Sequence, residues 1–392
     1  MLTVGIVANE FYDPRLGRMG GFGMNALLAA RALSTINDET VRPLFLSGEH
    51  RAAPTRPWRP APRLVGSSNG FPILLRGRRG PWLRRLRELD VDVLFTIEHR
   101  PTYNELIDAL PATPLIVWVR DPRPRADLEK IGTLEIPGET VMPLGIQPND
   151  SSSFAPIWSR AQDEGRPLAI VSPAPGYLAS KARDAYGIPD LEMGFLGNAL
   201  EPAAEVSARS PRPSVLFIGR LDPIKRPWVF AELARRFPQV DFLMLGQPHF
   251  SGEGAGTGWL TDAPPNLHVL AHVEGRRKAE LLAAAWVLVN TSIHEALPTS
   301  FIEALHCGVP LLACQDPEEV ASRFGVYVGR FDGDGMAALP NFVDGLEQLL
   351  EDGEMRERLG EAGRDWARTY HTRTRFLEEF ISLAGRVRSL TS

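Results

Sequence analysis

Short apolar runs separated by helix-compatible stretches form the pattern of the first half of the chain. This alternation predicts strands and helices in turn, and therefore an α/β fold with a parallel, doubly wound sheet. The helix-compatible stretches include Gly23–Leu33 and Thr102–Leu110. The predicted strands are Leu2–Ala8, Val41–Leu46, Val91–Ile97, Pro114–Val119, Leu168–Val171 and Glu192–Leu196.

The same alternation starts again after a polar bridge that contains several prolines, residues 201–213. We therefore predict a second Rossmann-like domain and place the boundary within the bridge, with residues 1–205 in the first domain and 206–370 in the second. The strands predicted for the second domain are Ser214–Ile218, Val240–Leu245, Leu267–Leu270, Trp286–Val289, Val309–Ala313 and Val326–Val328.

Two such domains in tandem are expected to leave a central cleft, with the carboxyl ends of both sheets facing it. The last predicted helix, Arg373–Ala384, is amphipathic, with Phe376, Phe380 and Leu383 on one side. We expect it to cross back to the first domain and assign residues 371–392 there. The segment 122–166 is rich in Pro, Ser and Asp, and its length predicts short helices rather than a structureless loop.

Composition narrows the class of protein. The chain has 392 residues and a formal net charge of -5, with no long acidic or basic tail, so nothing in it favours nucleic acid as a partner. It contains no apolar run of about 18 residues and begins directly with a strand, which predicts a cytoplasmic protein. Cys307 and Cys314 lack the spacing of metal ligands, and we expect both to pack in the core.

The segment Arg51–Arg87 differs from the rest because it contains ten arginines and no acidic residue. Such a charge run is most often a solvated face. The alternative is contact with an anionic membrane, at its inner face, or with an acidic, lipid-linked acceptor. Trp82, Leu83, Leu86 and Leu89 have near-helical spacing, so they form either a membrane-contacting face or part of the core of their own domain.

The most informative stretch is 290–310, which follows the buried strand at Ala285–Val289 and contains a predicted helix from Thr299 to His306. The amino end of a helix at the carboxyl edge of a parallel sheet favours phosphate. Glu295 and Glu303, separated by seven residues, flank that end. Carboxylates suit hydroxyl groups rather than phosphate, so this pattern predicts a nucleotide-sugar site. The plainer alternative is two solvated surface acids.

Two other turns carry candidate ligand-binding residues. The strand at Ser214–Ile218 leads into Gly219, Arg220 and Lys225, whose two cations are placed to neutralise a diphosphate. At the exit of the first strand, Gly20, Gly21 and Gly23 precede a helix and allow a close backbone approach to a ligand. That turn lacks the acidic residue that completes a dinucleotide-binding fingerprint.

Taken together, these residues resemble the retaining glycosyltransferases of family 4, which have the GT-B fold, and the resemblance is strongest after Ser214. It implies that Glu295 contacts the donor sugar and that Glu303 binds the ribose hydroxyls. It also implies that Arg220 and Lys225 bind the donor diphosphate. The remaining donor-binding residues that the resemblance implies are Gly219, Leu297, Pro298, Thr299 and Ser300 in the second domain, and Gly20 and Gly21 in the first.

The chain departs from the family pattern at Ala296, where glycine is common. His99, after the strand ending at Ile97, is the candidate on the acceptor side of the reacting sugar, although a lone histidine after a strand is more often structural. Two Asp-x-Asp strings, 90–92 and 332–334, resemble the metal-binding signature of another glycosyltransferase fold. We discount both, because two cations on the diphosphate make a metal unnecessary.

The implied reaction transfers a hexose from a nucleoside diphosphate sugar to an acceptor hydroxyl with retained configuration, without a metal or other cofactor. The acceptor is a small molecule, a glycan or a lipid-linked molecule. Contacts that select the base are expected around 246–249 and 267–272. The open alternatives are a nucleotide-sugar epimerase or a phosphorylase on the same scaffold, and a catalytically silent nucleotide-sugar-binding protein.

Overall fold

The computed structural model describes residues 1–16, 20–35, 41–50, 65–144, 154–201 and 209–390. The chain forms two compact units. Unit 1 comprises Met1–Pro124, Asn149–Leu200 and His371–Ser392, and unit 2 comprises Arg125–Pro148 and Glu201–Tyr370.

The strands of unit 1 are β1 (Leu2–Ala8), β2 (Val41–His50), β3 (Val65–Ser68), β4 (Phe71–Arg76), β5 (Val93–Ile97), β6 (Leu115–Trp118), β7 (Leu168–Ser172) and β8 (Gly194–Phe195). Those of unit 2 are β9 (Ser214–Ile218), β10 (Asp241–Leu245), β11 (Leu267–Val269), β12 (Val287–Asn290), β13 (Leu311–Ala313) and β14 (Gly325–Tyr327). Every strand predicted from the apolar runs has a counterpart among them.

The helices are α1 (Gly21–Leu33), α2 (Arg79–Arg87), α3 (Asn104–Ala109), α4 (Arg125–Gly132), α5 (Phe154–Asp163), α6 (Pro175–Tyr186), α7 (Pro227–Arg236), α8 (Gly275–Ala284), α9 (Thr299–His306), α10 (Val320–Arg323), α11 (Leu339–Glu351), α12 (Gly353–Tyr370) and α13 (Arg373–Ser389). Short 3₁₀ turns join several of these elements.

The sheet of unit 2 is entirely parallel, with the order β11-β10-β9-β12-β13-β14. Counted within the unit this is 3-2-1-4-5-6, the order of a dinucleotide-binding fold. The direction of winding reverses between β9 and β12. Loops that leave the carboxyl ends of those two strands diverge to opposite faces, which creates the place where such sheets bind ligands.

The sheet of unit 1 has the order β3-β4-β2-β1-β5-β6-β7-β8 and is parallel except for β3, which pairs antiparallel with β4. Its winding reverses between β1 and β5. Alternate residues of a strand face opposite sides of a sheet, and both sides are buried here. Val93 and Phe95 pack in a cluster with α1 and α13, whereas Leu94 packs in a second cluster with α2, α3 and α6.

The C-terminal helix α13 belongs to unit 1, as the sequence predicted. Phe376 and Phe380 are fully buried in the unit 1 core, and the ring centroids of Phe380 and Phe95 are 5.0 Å apart. At the start of the helix, the amide of Arg373 donates a hydrogen bond to the carbonyl oxygen of Leu200. The apolar stripe of α13 therefore completes one face of the first sheet.

The arginine-rich segment contains structure that its composition did not predict. Residues 65–76 form the hairpin of β3 and β4, and 79–87 form α2. Trp82 and Leu86 are buried in the unit 1 core, with Leu83 and Leu89 packed against them. Of the two predicted roles for these four residues, core packing is the one the structure shows. Residues 51–64 lie outside the described part of the chain.

None of the helices within the described ranges combines the length and the apolar character that a membrane span needs. Both cysteines are buried and free, as expected.

One segment lies in a different unit from the one predicted. We placed residues 125–148 in the first domain, but they belong to unit 2. Leu134 and Ile136 are buried in the unit 2 core, and Lys130 pairs with Asp332 at 3.0 Å. Because the described part of this segment contains a short helix and no strand, its sequence gave no sign of the sheet against which it packs.

We expect Phe380→Ala to destabilise unit 1 by about 3–5 kcal/mol, because it removes a fully buried ring and leaves a cavity. Chemical denaturation followed by circular dichroism measures the change. The control is Ile381→Ala, the next residue of α13, which is 39% exposed and is expected to cost less than about 1 kcal/mol. Equal losses for the two variants would contradict the packing described for α13.

Candidate functional site

The candidate site of unit 2 is formed by two loops that leave β9 and β12, the strands on either side of the winding reversal. The first loop, residues 219–226, contains Arg220 and Lys225. The second, residues 291–298, contains Glu295 and leads into α9. The sequence predicted both loops as ligand-binding, and the sheet order explains why they meet.

Hydrogen bonds join the two loops directly. The Thr291 hydroxyl donates to the carbonyl oxygen of Lys225 at 2.7 Å. The backbone amide of Ile293 donates to the carbonyl oxygen of Ile224 at 2.9 Å. Arg226 is 1% exposed and donates from Nε to the Thr291 carbonyl oxygen at 2.7 Å. Its backbone has φ 46°, a left-handed conformation that costs energy for a residue other than glycine. These contacts hold one loop against the other.

Lys225 and Glu295 form the central pair of the site. Lys225 Nζ lies 2.5 Å from Glu295 Oε1. The same oxygen accepts hydrogen bonds from the Ser292 hydroxyl at 2.6 Å and from the Asn290 side-chain amide at 3.0 Å. Glu295 is 8% exposed. A buried acid with three donors on one oxygen is fixed in position, while a carboxylate retains further acceptor capacity on its second oxygen.

The surroundings of Glu295 keep it ionised. Burial by itself raises the pKa of this carboxyl group, since it disfavours the charged form. The positive charge of Lys225, together with the hydrogen bonds from Lys225, Ser292 and Asn290, outweighs that effect. The net result is a pKa below the ordinary value of 4.5.

The amino end of α9 lies immediately after Glu295. Pro298 has an extended backbone and precedes the first helical residue, and no side chain caps the helix there. Thr299 and Ser300 are partly exposed, whereas Leu297 is buried and 4% exposed. The first backbone N–H groups of a helix lack intrahelical acceptors and carry partial positive charge. The predicted backbone segment is thus suited to an anion.

Glu303 lies one turn into α9, but its nearest charged partner was not predicted. Lys278 of α8 places Nζ 2.7 Å from each of the two carboxylate oxygens. Both side chains are 19% exposed. Lys278 therefore fixes the carboxylate of Glu303 in the same way that Lys225 fixes Glu295.

Arg220 is the more accessible of the two predicted diphosphate-binding cations. Its side chain is 44% exposed and lies 3.2 Å from Asp222. Gly219, just before it, lies against Gly246, where any side chain would collide with the Gly219 carbonyl oxygen. This close approach of two loops explains glycine at 246 and sets the direction in which Arg220 leaves the sheet.

In unit 1, the predicted glycine turn is packed against an acid. A side chain at Gly20 would collide with the carboxylate of Glu10, whereas a side chain at Gly21 would meet no atom within 4 Å. A side chain at position 20 would therefore displace the carboxylate of Glu10 from its place against the turn. The role of Gly20 and Gly21 beside a donor phosphate stays a prediction, and residues 17–19 of the turn lie outside the described residues.

His99 is buried in unit 1 and 1% exposed, with its ring centre 4.8 Å from that of Phe154. Burial, with a smaller contribution from Arg100, lowers its pKa to about 3, so the imidazole is neutral at ordinary pH. These surroundings agree with the structural alternative, and a role on the acceptor side stays a prediction. Its neighbour Glu98 accepts hydrogen bonds from the amides of Arg120 and Asp121, each at 2.7 Å.

Comparison with known proteins agrees with this geometry. Residues 203–366 match the sequence model of a protein family described as Glycosyl transferases group 1. This segment is therefore similar to members of that family. It contains every site residue that was predicted in unit 2.

The curated relatives include D-inositol 3-phosphate glycosyltransferases of mycobacteria. The protein of Mycobacteroides abscessus is 31% identical over 130 residues, which cover 32% of this chain and 29% of the relative. The protein of Mycobacterium leprae (strain Br4923) is 28% identical over 195 residues, which cover 48% of this chain and 44% of the relative. The matches thus span less than half the length of these relatives.

Solved structures resemble the whole chain. Sucrose-phosphate synthase from Thermosynechococcus elongatus has a TM-score of 0.68 at 14% identity, covering 99% of this chain and 100% of that one. Anabaena HepE, solved in complex with UDP and glucose, has a TM-score of 0.66 at 13% identity. The match covers 97% of this chain and 99% of that one. At such identities the likeness shows the fold alone, and the predicted GT-B fold is confirmed.

We expect Glu295→Gln to lower the free energy of unfolding by about 2 kcal/mol at pH 7, because it removes the charge that Lys225 faces. The folded protein holds the pKa of Glu295 below 4.5. Its stabilising effect is therefore complete above the ordinary pKa and disappears as the pH falls through the lowered one. The gap between wild type and variant should shrink between pH 5 and pH 3.5.

Urea denaturation at pH 7, 5, 4 and 3.5 measures this gap. Glu280→Gln is the control, since Glu280 forms an exposed ion pair on α8 and its replacement should cost well under 1 kcal/mol. A gap that stays constant across this range would show that Glu295 does not ionise with a lowered pKa.

Proposed function

We propose that the protein is a retaining glycosyltransferase of family 4, which moves a hexose from a nucleoside diphosphate sugar to an acceptor hydroxyl without a metal. The observation that supports this most is the Lys225–Glu295 pair. It places a cation suited to a diphosphate beside an acid suited to a sugar hydroxyl, at the reversal of winding where parallel sheets bind ligands.

In this proposal each site residue has a distinct task. Arg220 and Lys225 contact the diphosphate, with the backbone from Gly219 and the amino end of α9 beside it. Glu295 accepts a hydrogen bond from a hydroxyl of the transferred sugar, and Glu303 accepts from the ribose. In unit 1, Gly20 and Gly21 are the candidates beside the donor phosphate, and His99 is the candidate on the acceptor side.

The proposed step exchanges one bond for another on the same face of the sugar. The bond between the anomeric carbon and the diphosphate oxygen breaks, and a bond from that carbon to the acceptor oxygen forms. The departing diphosphate takes the proton of the acceptor hydroxyl. Because negative charge grows on the diphosphate, Arg220 and Lys225 stabilise the transition state more than the ground state, which is the condition for catalysis.

Both partners of the reaction are proposed from chemistry and from relatives. The Anabaena structures hold UDP or UDP-glucose, so uridine nucleotides are the first donors to test. The curated relatives are named for D-inositol 3-phosphate, which makes a phosphorylated polyol the first acceptor to test. Glycans and lipid-linked molecules follow, and cytoplasmic location and membrane contact stay predictions.

The alternatives predict different products. A silent binding protein would bind the nucleotide sugar without releasing nucleoside diphosphate when acceptor is added, and an epimerase would convert the sugar without an acceptor. A thermal-shift screen with UDP, GDP, ADP and their sugars selects the donor, since a bound ligand raises the melting temperature. Proton NMR of the product then distinguishes retained from inverted configuration.

We expect Arg220→Ala to lower turnover about 10²- to 10³-fold, which is the usual cost of removing one donor from a developing anion. Release of nucleoside diphosphate in the presence of acceptor measures turnover. The matched control is Arg212→Ala at the opposite end of β9, where Arg212 is 56% exposed and pairs with Asp241. Near-normal turnover in Arg220→Ala would remove Arg220 from the proposed mechanism.

Activity should persist when divalent metals are removed, because Arg220 and Lys225 supply the positive charge that a metal would otherwise provide. The assay compares turnover before and after dialysis against EDTA, with Mg²⁺ added back to one portion. Loss of activity in EDTA with recovery in Mg²⁺ would show that the proposed division of charge is wrong.

A further inference from the structure

The segment 125–144 belongs to unit 2 although the chain before it, through Pro124, belongs to unit 1. We call these residues the excursion. It begins with α4 and continues without a strand, and two of its apolar residues, Leu134 and Ile136, are buried in the unit 2 core. The excursion is therefore an integral part of unit 2, because its residues contribute to the hydrophobic core as well as to the surface.

Polar contacts fasten the excursion to loops that leave the sheet at its carboxyl edge. The amide of Gly254, after β10, donates to the Glu139 carboxylate at 2.6 Å. The amide of Gly333, after β14, donates to the Thr133 hydroxyl at 3.3 Å. The loops after β10 and β14 lie on either side of the candidate site, so the excursion spans the edge of the sheet that carries it.

Between these fastenings, the excursion reaches the candidate site itself. Asp127 of α4 has its Oδ2 3.8 Å from Nδ1 of His294, the residue immediately before Glu295. Asp127 is 9% exposed and His294 is 7% exposed, close to the 8% of Glu295. An acid of the excursion thus lies beside an imidazole of the loop that carries Glu295.

The separation of the two groups suits a hydroxyl ligand. At 3.8 Å they are too far apart for a direct hydrogen bond between these two atoms. A hydroxyl oxygen about 2.8 Å from each can accept from the imidazole N–H and donate to the carboxylate, which are ordinary hydrogen-bond lengths. Sugar hydroxyls both donate and accept, so a pair of this kind discriminates by the position of a hydroxyl.

We propose that a hydroxyl of the transferred sugar contacts both His294 and Asp127, so that the excursion helps to select the donor sugar. This inference rests on the proposed function. It assigns sugar recognition to a segment that precedes both loops of the site in the sequence. Lys130, which pairs with Asp332, and Thr133 then act as fastenings that keep Asp127 in place.

The test separates sugar recognition from folding. Isothermal titration calorimetry measures the dissociation constants of UDP and UDP-glucose, of GDP and GDP-mannose, and of ADP and ADP-glucose for the wild type. The pair that binds is then measured with Asp127→Ala, Asp127→Asn and His294→Gln. The quantity compared is the Kd of the nucleotide sugar divided by the Kd of the free diphosphate.

We expect this ratio to rise about tenfold in Asp127→Ala and His294→Gln, while the Kd of the free diphosphate changes less than twofold. Asp127→Asn keeps one acceptor oxygen and should raise the ratio less. The control is Glu129→Gln, two residues along α4, where Glu129 is 65% exposed and pairs with Arg125. Its ratio should equal that of the wild type.

The outcomes distinguish this inference from the proposed function. A wild type that binds none of the six nucleotides overturns the proposed function and the inference with it. Nucleotide binding by the wild type with an unchanged ratio in Asp127→Ala and His294→Gln overturns the inference alone. An equal loss for diphosphate and nucleotide sugar shows that the excursion supports the fold of the site without contacting the sugar, which also overturns it.

Discussion

The site depends on one ion pair, Lys225 with Glu295, and on the contacts that hold their two loops together. Glu295 is buried, so without a cation beside it the carboxyl group would take up a proton. Arg226 cannot supply that charge, because its guanidinium donates to the carbonyl oxygens of Thr291 and Phe331. It fixes the loops, and the neighbouring lysine neutralises the acid. Two adjacent cations in the sequence thus have separate tasks, one structural and one facing the site.

Unit 1 has the same reversal of winding, but the acids at the exits of its strands have different hydrogen-bond partners. At the exits of β1 and β5 lie Glu10, packed against Gly20, and Glu98, which accepts hydrogen bonds from two backbone amides beyond β6. The Tyr186 hydroxyl also donates to Glu98, so both oxygens of this carboxylate have donors from unit 1 and little capacity is left for a ligand. In unit 2, Lys225, Ser292 and Asn290 all donate to the same oxygen of Glu295. The chemistry that we propose for the donor is therefore assigned to unit 2.

Much of this arrangement was predictable from the sequence, because strands buried on both sides appear as short apolar runs. Residues that directly follow such strands lie at the carboxyl edge, which is why Lys225 and Glu295 were correctly expected near each other despite a separation of 70 positions in the sequence. Lys278 and Asp127 follow no strand in that way. Lys278 lies within α8, and Asp127 lies within α4, so the pattern of strands places neither of them. Their contacts depend on how α8 and the excursion pack, which only the three-dimensional structure shows.

The charges of the site differ in how easily a ligand can engage them. Arg220 is nearly half exposed, and its pairing with Asp222 is of the kind that contributes little to stability. A diphosphate can replace that carboxylate at low cost. Lys225 is bound to a buried acid and cannot leave it without exposing an uncompensated charge. In the proposed function it therefore contacts Glu295 and the diphosphate together, using more than one of its three N–H groups. Arg220 is suited to capture the donor, and Lys225 to link the stabilisation of the diphosphate to the position of Glu295.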